Sequence, residues 1–134
     1  MTSGRASWVK VALGAGLFYL VIGLMFGELA GRATSAEMRV GWRLAAWVIS
    51  AAAFAAEVAY ERLRLASSAL SASWHTAFGA GVGAFALAVV AAVHVGAGFD
   101  ARYALALVAW PAITMIPAFP VALVLSAIFR ARRL

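Results

Sequence analysis

Cysteine is absent from this chain of 134 residues, and charged residues make up only 12% of it. The lack of cysteine excludes disulfide bonds, thiolate metal sites and a cysteine nucleophile. Five acidic residues stand against eleven basic ones. The basic residues lie at the ends of apolar segments and form no stripe with interleaved aromatics. This placement argues against nucleic acid as a partner and suits contact with the headgroups of anionic lipids.

Motifs of known catalytic or metal chemistry are also missing. There is no HExxH pair, no phosphate-binding glycine loop and no recognisable spacing of serine, histidine and acid. His75 and His94 are separated by about 28 Å along a straight helix, so one monomer cannot use both on one metal or haem. We therefore expect no enzyme activity, no metal and no cofactor, although a haem shared between two protomers stays open.

Apolar residues dominate what is present, at 66% of the chain. A soluble domain of this size could not bury so much apolar surface. Four runs reach the length of about 20 residues that a transmembrane helix needs, at residues 8–26, 42–60, 74–95 and 103–129. None shows the alternation of a barrel strand. The sequence predicts an all-α, four-helix transmembrane bundle that forms a single domain over residues 1–134.

The distribution of lysine and arginine predicts the orientation of the bundle. One side of the predicted membrane carries Arg5, Lys10, Arg62, Arg64, Arg130, Arg132 and Arg133, and the other carries Arg32, Arg39, Arg43 and Arg102. The richer side is expected to be cytoplasmic, which places both termini inside the cell. The abundance of alanine and the preference for arginine over lysine are typical of a GC-rich bacterial genome, and hence favour a bacterial inner membrane.

Glycines recur at intervals of four residues in two of the predicted helices. Gly23, Gly27 and Gly31 share one face of the first helix, and Gly79 and Gly83 share one face of the third. Such spacing lets neighbouring backbones approach closely in lipid. We interpret the glycines mainly as packing positions that bring helices 1 and 3 together. A homo-oligomer interface or a pore lining is the alternative.

All three prolines lie in the fourth run, at Pro111, Pro117 and Pro120. Each removes a backbone donor and disfavours a straight helix. The sequence therefore predicts a fourth helix that is kinked or broken at this hinge. Proline in a membrane helix is often purely architectural, but interrupted helices also form the substrate sites of transporters.

The second run contains a charge that is difficult to keep in lipid. Only 13 uncharged residues separate Arg43 from Glu57, about 20 Å of helix against a hydrocarbon core near 30 Å. Arg43 can reach outward on its long side chain, whereas Glu57 is expected about one turn deep. We therefore predict a polar intramembrane site, formed by Glu57, Glu61, His75, Arg64 and Lys10. It is either a structural ion pair or a protonatable gate or cation site.

A second polar group is predicted at the opposite end of the bundle. His94 lies near the end of the third run, where Glu28 and Arg43 are its possible neighbours. A single histidine in a membrane helix usually makes a hydrogen bond to another helix. We therefore expect helix-to-helix contacts here and no metal ligation.

The sequence favours two functions, and a membrane enzyme that acts on lipid through Glu57, Glu61 and His75 ranks below both. The first is a homo-oligomeric channel or transporter for a small ion or solute, because one small bundle encloses too little volume for an aqueous path. The second is a non-catalytic accessory or assembly subunit of a larger membrane complex of the respiratory or photosynthetic type. The expected partners are accordingly the lipid bilayer with its anionic lipids, further copies of the chain, or partner membrane subunits.

Overall fold

The computed structural model describes residues 3–96 and 100–131. Four α-helices account for nearly all of them: α1 Ser3–Gly31, α2 Ala36–Leu63, α3 Ala69–His94 and α4 Ala101–Ala131. Each helix is long and apolar enough to cross a membrane. This confirms the all-α, four-helix architecture and the assignment as an integral membrane protein. Arg132 and Arg133, which entered the orientation argument, lie outside the described residues.

Serine side chains start two of the helices. The Ser35 hydroxyl accepts a hydrogen bond from the amide of Met38 at the start of α2, and Ser68 accepts one from Ser71 at the start of α3. These caps satisfy amide groups that a helix start leaves without partners. The helices therefore begin before the apolar runs do.

The helices pack unequally. α3 makes its most extensive contacts with α4 and then with α1, and α2 contacts the other three helices. α1 and α4 do not touch one another within the described ranges. α3 and α2 are therefore central, whereas α1 and α4 occupy opposite sides of the bundle.

α1 and α3 run side by side at very short range. A Cβ added at Gly79 would lie 3.1 Å from the Ala12 carbonyl oxygen, and one added at Gly83 would lie 3.1 Å from that of Gly16. Both pairs are separated by the same interval along the chain, as expected for two parallel helices in fixed register. The absence of side chains at Gly79 and Gly83 is thus what permits this approach.

The glycine ladder of α1 is only partly used in this packing. Gly23 accommodates the side chain of Leu87, which would lie 2.8 Å from an added Cβ. Nothing lies within 4 Å of a Cβ added at Gly27 or Gly31. The outer part of the ladder therefore presents an open surface.

α4 continues through its three prolines without interruption from Ala101 to Ala131. Thr114 donates a hydrogen bond from its hydroxyl to the carbonyl oxygen of Trp110, at 2.8 Å. Of the four helices, α4 has the smallest share of buried residues. The helix is not divided, and a bend at the prolines stays a prediction.

Candidate functional site

Buried polar side chains gather at one end of the bundle, where α2 ends and α3 begins. Five polar residues there are less than a tenth exposed: Glu57, Glu61, Ser73, Thr76 and Ser126. Ser73 and Thr76 donate their hydroxyl hydrogens to carbonyl oxygens one turn earlier in α3. The two carboxylates cannot be satisfied in this way, because ionised oxygens only accept hydrogen bonds. They define the candidate site.

Glu61 is fully buried and is held by the turn that follows α2. The hydroxyl of Ser67 donates to Oε2 of Glu61 at 2.7 Å, and the Ser67 amide donates to the Glu61 carbonyl oxygen at 3.0 Å. Arg62 in turn donates to the carbonyl oxygen of Ser67. The chain between α2 and α3 is thus folded back over the carboxylate.

His75 connects Glu61 to two further helices. Its Nδ1 lies 3.1 Å from Oε2 of Glu61, so the Nδ1 hydrogen can be donated to the carboxylate. The imidazole is stacked on the indole of Trp8, with ring centroids 4.2 Å apart and planes only 5° from parallel. Side chains from α1, α2 and α3 therefore meet at this point.

Glu57 lies one helical turn deeper than Glu61. The hydroxyl of Tyr19 donates to its Oε2 over a long 3.4 Å, and its Oε1 lies 3.0 Å from where a Cβ on Gly79 would stand. Gly79 is the eleventh residue of α3, about 15 Å from the start of the helix. The Glu57 carboxylate thus lies beside the interior of α3, not beside its first turn.

Three buried oxygen atoms in this region have no hydrogen-bond partner among the described residues. They are Oε1 of Glu57, Oε1 of Glu61 and Oγ of Ser126. A buried acceptor without a donor costs about 1–3 kcal/mol, and more when it carries charge. Within the described chain, no set of three or more histidine, cysteine or acidic side chains is arranged to hold a metal ion. The arrangement suits a proton or a weakly held small cation.

The two other residues assigned to this site lie apart from the carboxylates. Lys10 and Arg64 are exposed and form neither an ion pair nor a side-chain hydrogen bond with any residue that the structure describes. Of the five predicted members, the structure brings together Glu57, Glu61 and His75.

The predicted group at the opposite end is not assembled in the monomer. Glu28 pairs with Arg32, which directly follows α1, at 2.7 Å, and both side chains are largely exposed. Arg43 and His94 are exposed and make no ion pair among the described residues. Glu28 is thus paired with a residue four positions later in the sequence, and not with Arg43 or His94, the neighbours expected for it.

Three contributors to the site were missed in the sequence. The apolar pattern does not distinguish Trp8 or Ser67 from other residues at the ends of the runs and in the loops, and Tyr19 lies within an apolar run. Tyr19 carried the clearest signal, because a phenol in the middle of an apolar helix needs a partner for its hydroxyl. The contacts of Trp8 and Ser67 depend on helix register and on the path of the turn, which the sequence pattern does not specify.

Comparison of the chain with protein-family models, with curated proteins and with solved structures finds no match in any of the three. The function must therefore be argued from the site itself.

Proposed function

We propose that the chain moves a small cation, in the simplest case a proton, across the membrane, and that the Glu57 carboxylate binds it. One observation carries the proposal: this carboxylate is buried in the bundle, with one oxygen that has no donor among the described residues. Acidic groups in membrane helices are expensive and typically belong to ion or proton pathways. A bound proton or cation would supply the missing partner.

A row of polar groups supports an approach to Glu57 from the nearer membrane surface. Ser67, His75 and Glu61 are joined by hydrogen bonds close to the end of α2. Glu61 and Glu57 share one face of α2 because they are four residues apart. An ion leaving water would thus meet Glu61 first and Glu57 next, with Tyr19 beyond.

The remainder of the path requires more than one bundle. Beyond Tyr19 the interior of the monomer is apolar, with Ile22 and Phe26 buried in α1. A homo-oligomer would supply the second half of the path between protomers. The segment from Pro111 to Pro120 is the proposed moving element, because its prolines free backbone carbonyls and permit a bend.

The proposed setting is the inner membrane of a bacterium, with both termini in the cytoplasm. The excess of lysine and arginine on the side of the termini supports this orientation. Glu61 and His75 would then face the cytoplasm, and the site would exchange its ion with that side.

Ion flux through purified protein tests the proposal. The full chain is reconstituted in vesicles that contain a pH-sensitive dye, and proton entry is followed under an imposed membrane potential. Glu57→Gln keeps the shape of the side chain but removes its charge, so we expect flux to fall at least tenfold. Glu28→Gln changes an exposed carboxylate at the other end and is expected to leave flux unchanged. A parallel measurement with a sodium-sensitive dye identifies the ion.

Two results would contradict this function. One is wild-type flux of protons and sodium no greater than that of vesicles without protein, and the other is equal flux in the wild type and Glu57→Gln.

The weakly buried surface of α4 favours an accessory subunit as the second candidate, since a partner could cover it. Native mass measurement after mild detergent extraction separates the two: foreign subunits in fixed ratio support the accessory role, and a homo-oligomer supports transport.

A further inference from the structure

A cleft of about 420 Å³ opens between α1 and α2 at the end of the bundle opposite Glu57. Gly23 and Gly27 line it from α1, and Arg39, Arg43 and Trp47 line it from α2. No side chain of the described chain fills the space beside Gly27. The two helices therefore enclose a groove that is open to the bilayer.

The lining of this cleft changes from basic to apolar with depth. Arg39 is the fourth residue of α2, so it lies close to the membrane surface. Trp47 lies two turns further along, about 12 Å deeper, and its side chain is 75% exposed. An amphiphile with an acidic head at the surface and a hydrocarbon tail pointing inward would match this gradient.

The two arginines have no acidic partner of their own. Neither Arg39 nor Arg43 forms an ion pair or side-chain hydrogen bond with any residue in the ranges 3–96 and 100–131. The exposed carboxylate of Glu28, which is near in the sequence of α1, is already paired with Arg32. Since Arg39 and Arg43 are four residues apart, both guanidinium groups project from one face of α2.

We infer that this cleft is a binding site for one anionic phospholipid. The guanidinium groups of Arg39 and Arg43 hold the phosphate, for which their planar donor arrangement is well suited. One acyl chain lies along Gly23 and Gly27 against the indole of Trp47. A second transmembrane helix is the poorer occupant, because an apolar helix would leave both guanidinium groups without a counter-charge.

Fluorescence quenching in bilayers tests this inference. The full chain is placed in phosphatidylcholine vesicles that contain a small fraction of brominated phosphatidylglycerol, and in matched vesicles with the same fraction of brominated phosphatidylcholine. Two basic residues beside a phosphate, at about 1 kcal/mol each, give a preference of roughly thirtyfold, so the anionic lipid should quench far more strongly. Trp47→Phe should remove the excess quenching, which locates it in the cleft.

Matched variants separate a specific site from general attraction to charge. The double variant Arg39→Gln, Arg43→Gln should reduce quenching to the level of phosphatidylcholine. Arg102→Gln removes one exposed arginine on the same side of the bundle and should retain the excess. Equal quenching by both brominated lipids would overturn the inference in favour of an ordinary lipid annulus. Absence of quenching by either lipid, together with a dimer by native mass, would overturn it in favour of a second copy of the chain.

Discussion

The Ser67 hydroxyl donates a hydrogen bond to Glu61 at 2.7 Å, and its acceptor is fully buried. We predict that Ser67→Ala lowers the free energy of unfolding by about 1–3 kcal/mol, because the buried carboxylate loses one of its two donors and keeps only His75. Ser71→Ala removes a hydroxyl from an exposed serine pair nearby and should cost less than about 0.5 kcal/mol. Unfolding by denaturing detergent in mixed micelles measures both. Equal losses would show that Ser67 does not support the carboxylate.

At the residue scale, the sequence indicates which side chains cost free energy to place in a bilayer, but it does not indicate which residues they contact. Glu57, Glu61 and His75 could be selected because charge and imidazole in an apolar run require partners. Lys10 and Arg64 are equally plausible partners by sequence distance, yet both are exposed and pair with neither carboxylate. The structure supplies Tyr19 and Trp8 among other partners, and of these two only Trp8 resembles an ordinary aromatic residue at the end of a membrane helix.

Helix packing gives a prediction for two glycines that share the same four-residue spacing. A Cβ at Gly83 would stand 2.7 Å from the Cβ of Tyr19, whereas a Cβ at Gly27 meets nothing within 4 Å. Gly83→Ala should therefore destabilise the fold by about 1–3 kcal/mol through overpacking. Gly27→Ala should be neutral or slightly stabilising, because alanine favours the helix. Thermal unfolding in detergent compares the two, and similar melting temperatures would contradict the α1–α3 packing.

The existence and order of the four helices were predictable at the scale of elements, because lipid admits only helices for these apolar runs. The apolar runs are shorter than the helices, because a run does not include a capped polar turn such as the one that begins at Ser35. The sequence also does not show which of the regularly spaced glycines pack against another helix. Gly79 and Gly27 look alike in sequence, but only Gly79 faces a neighbouring backbone, and helix rotation decides this.

The whole molecule has two unlike ends, so its orientation in the membrane determines which side reaches Glu61. We predict that both termini are cytoplasmic. Since the natural chain has no cysteine, single cysteines report topology directly. Thr34→Cys, in the α1–α2 loop, should react with a membrane-impermeant maleimide in intact spheroplasts. Leu70→Cys, at the start of α3, should react only after permeabilisation, and the reverse pattern would contradict the predicted orientation.

The partners of the two buried carboxylates come from helices that are synthesised at different times. α1 and α2 emerge from the ribosome first, so their hairpin already contains both Tyr19 and Glu57. His75 is carried by α3 and emerges only afterwards. The contact between Tyr19 and Glu57 can therefore form in the hairpin of α1 and α2, whereas Glu61 gains its histidine partner only when α3 is inserted.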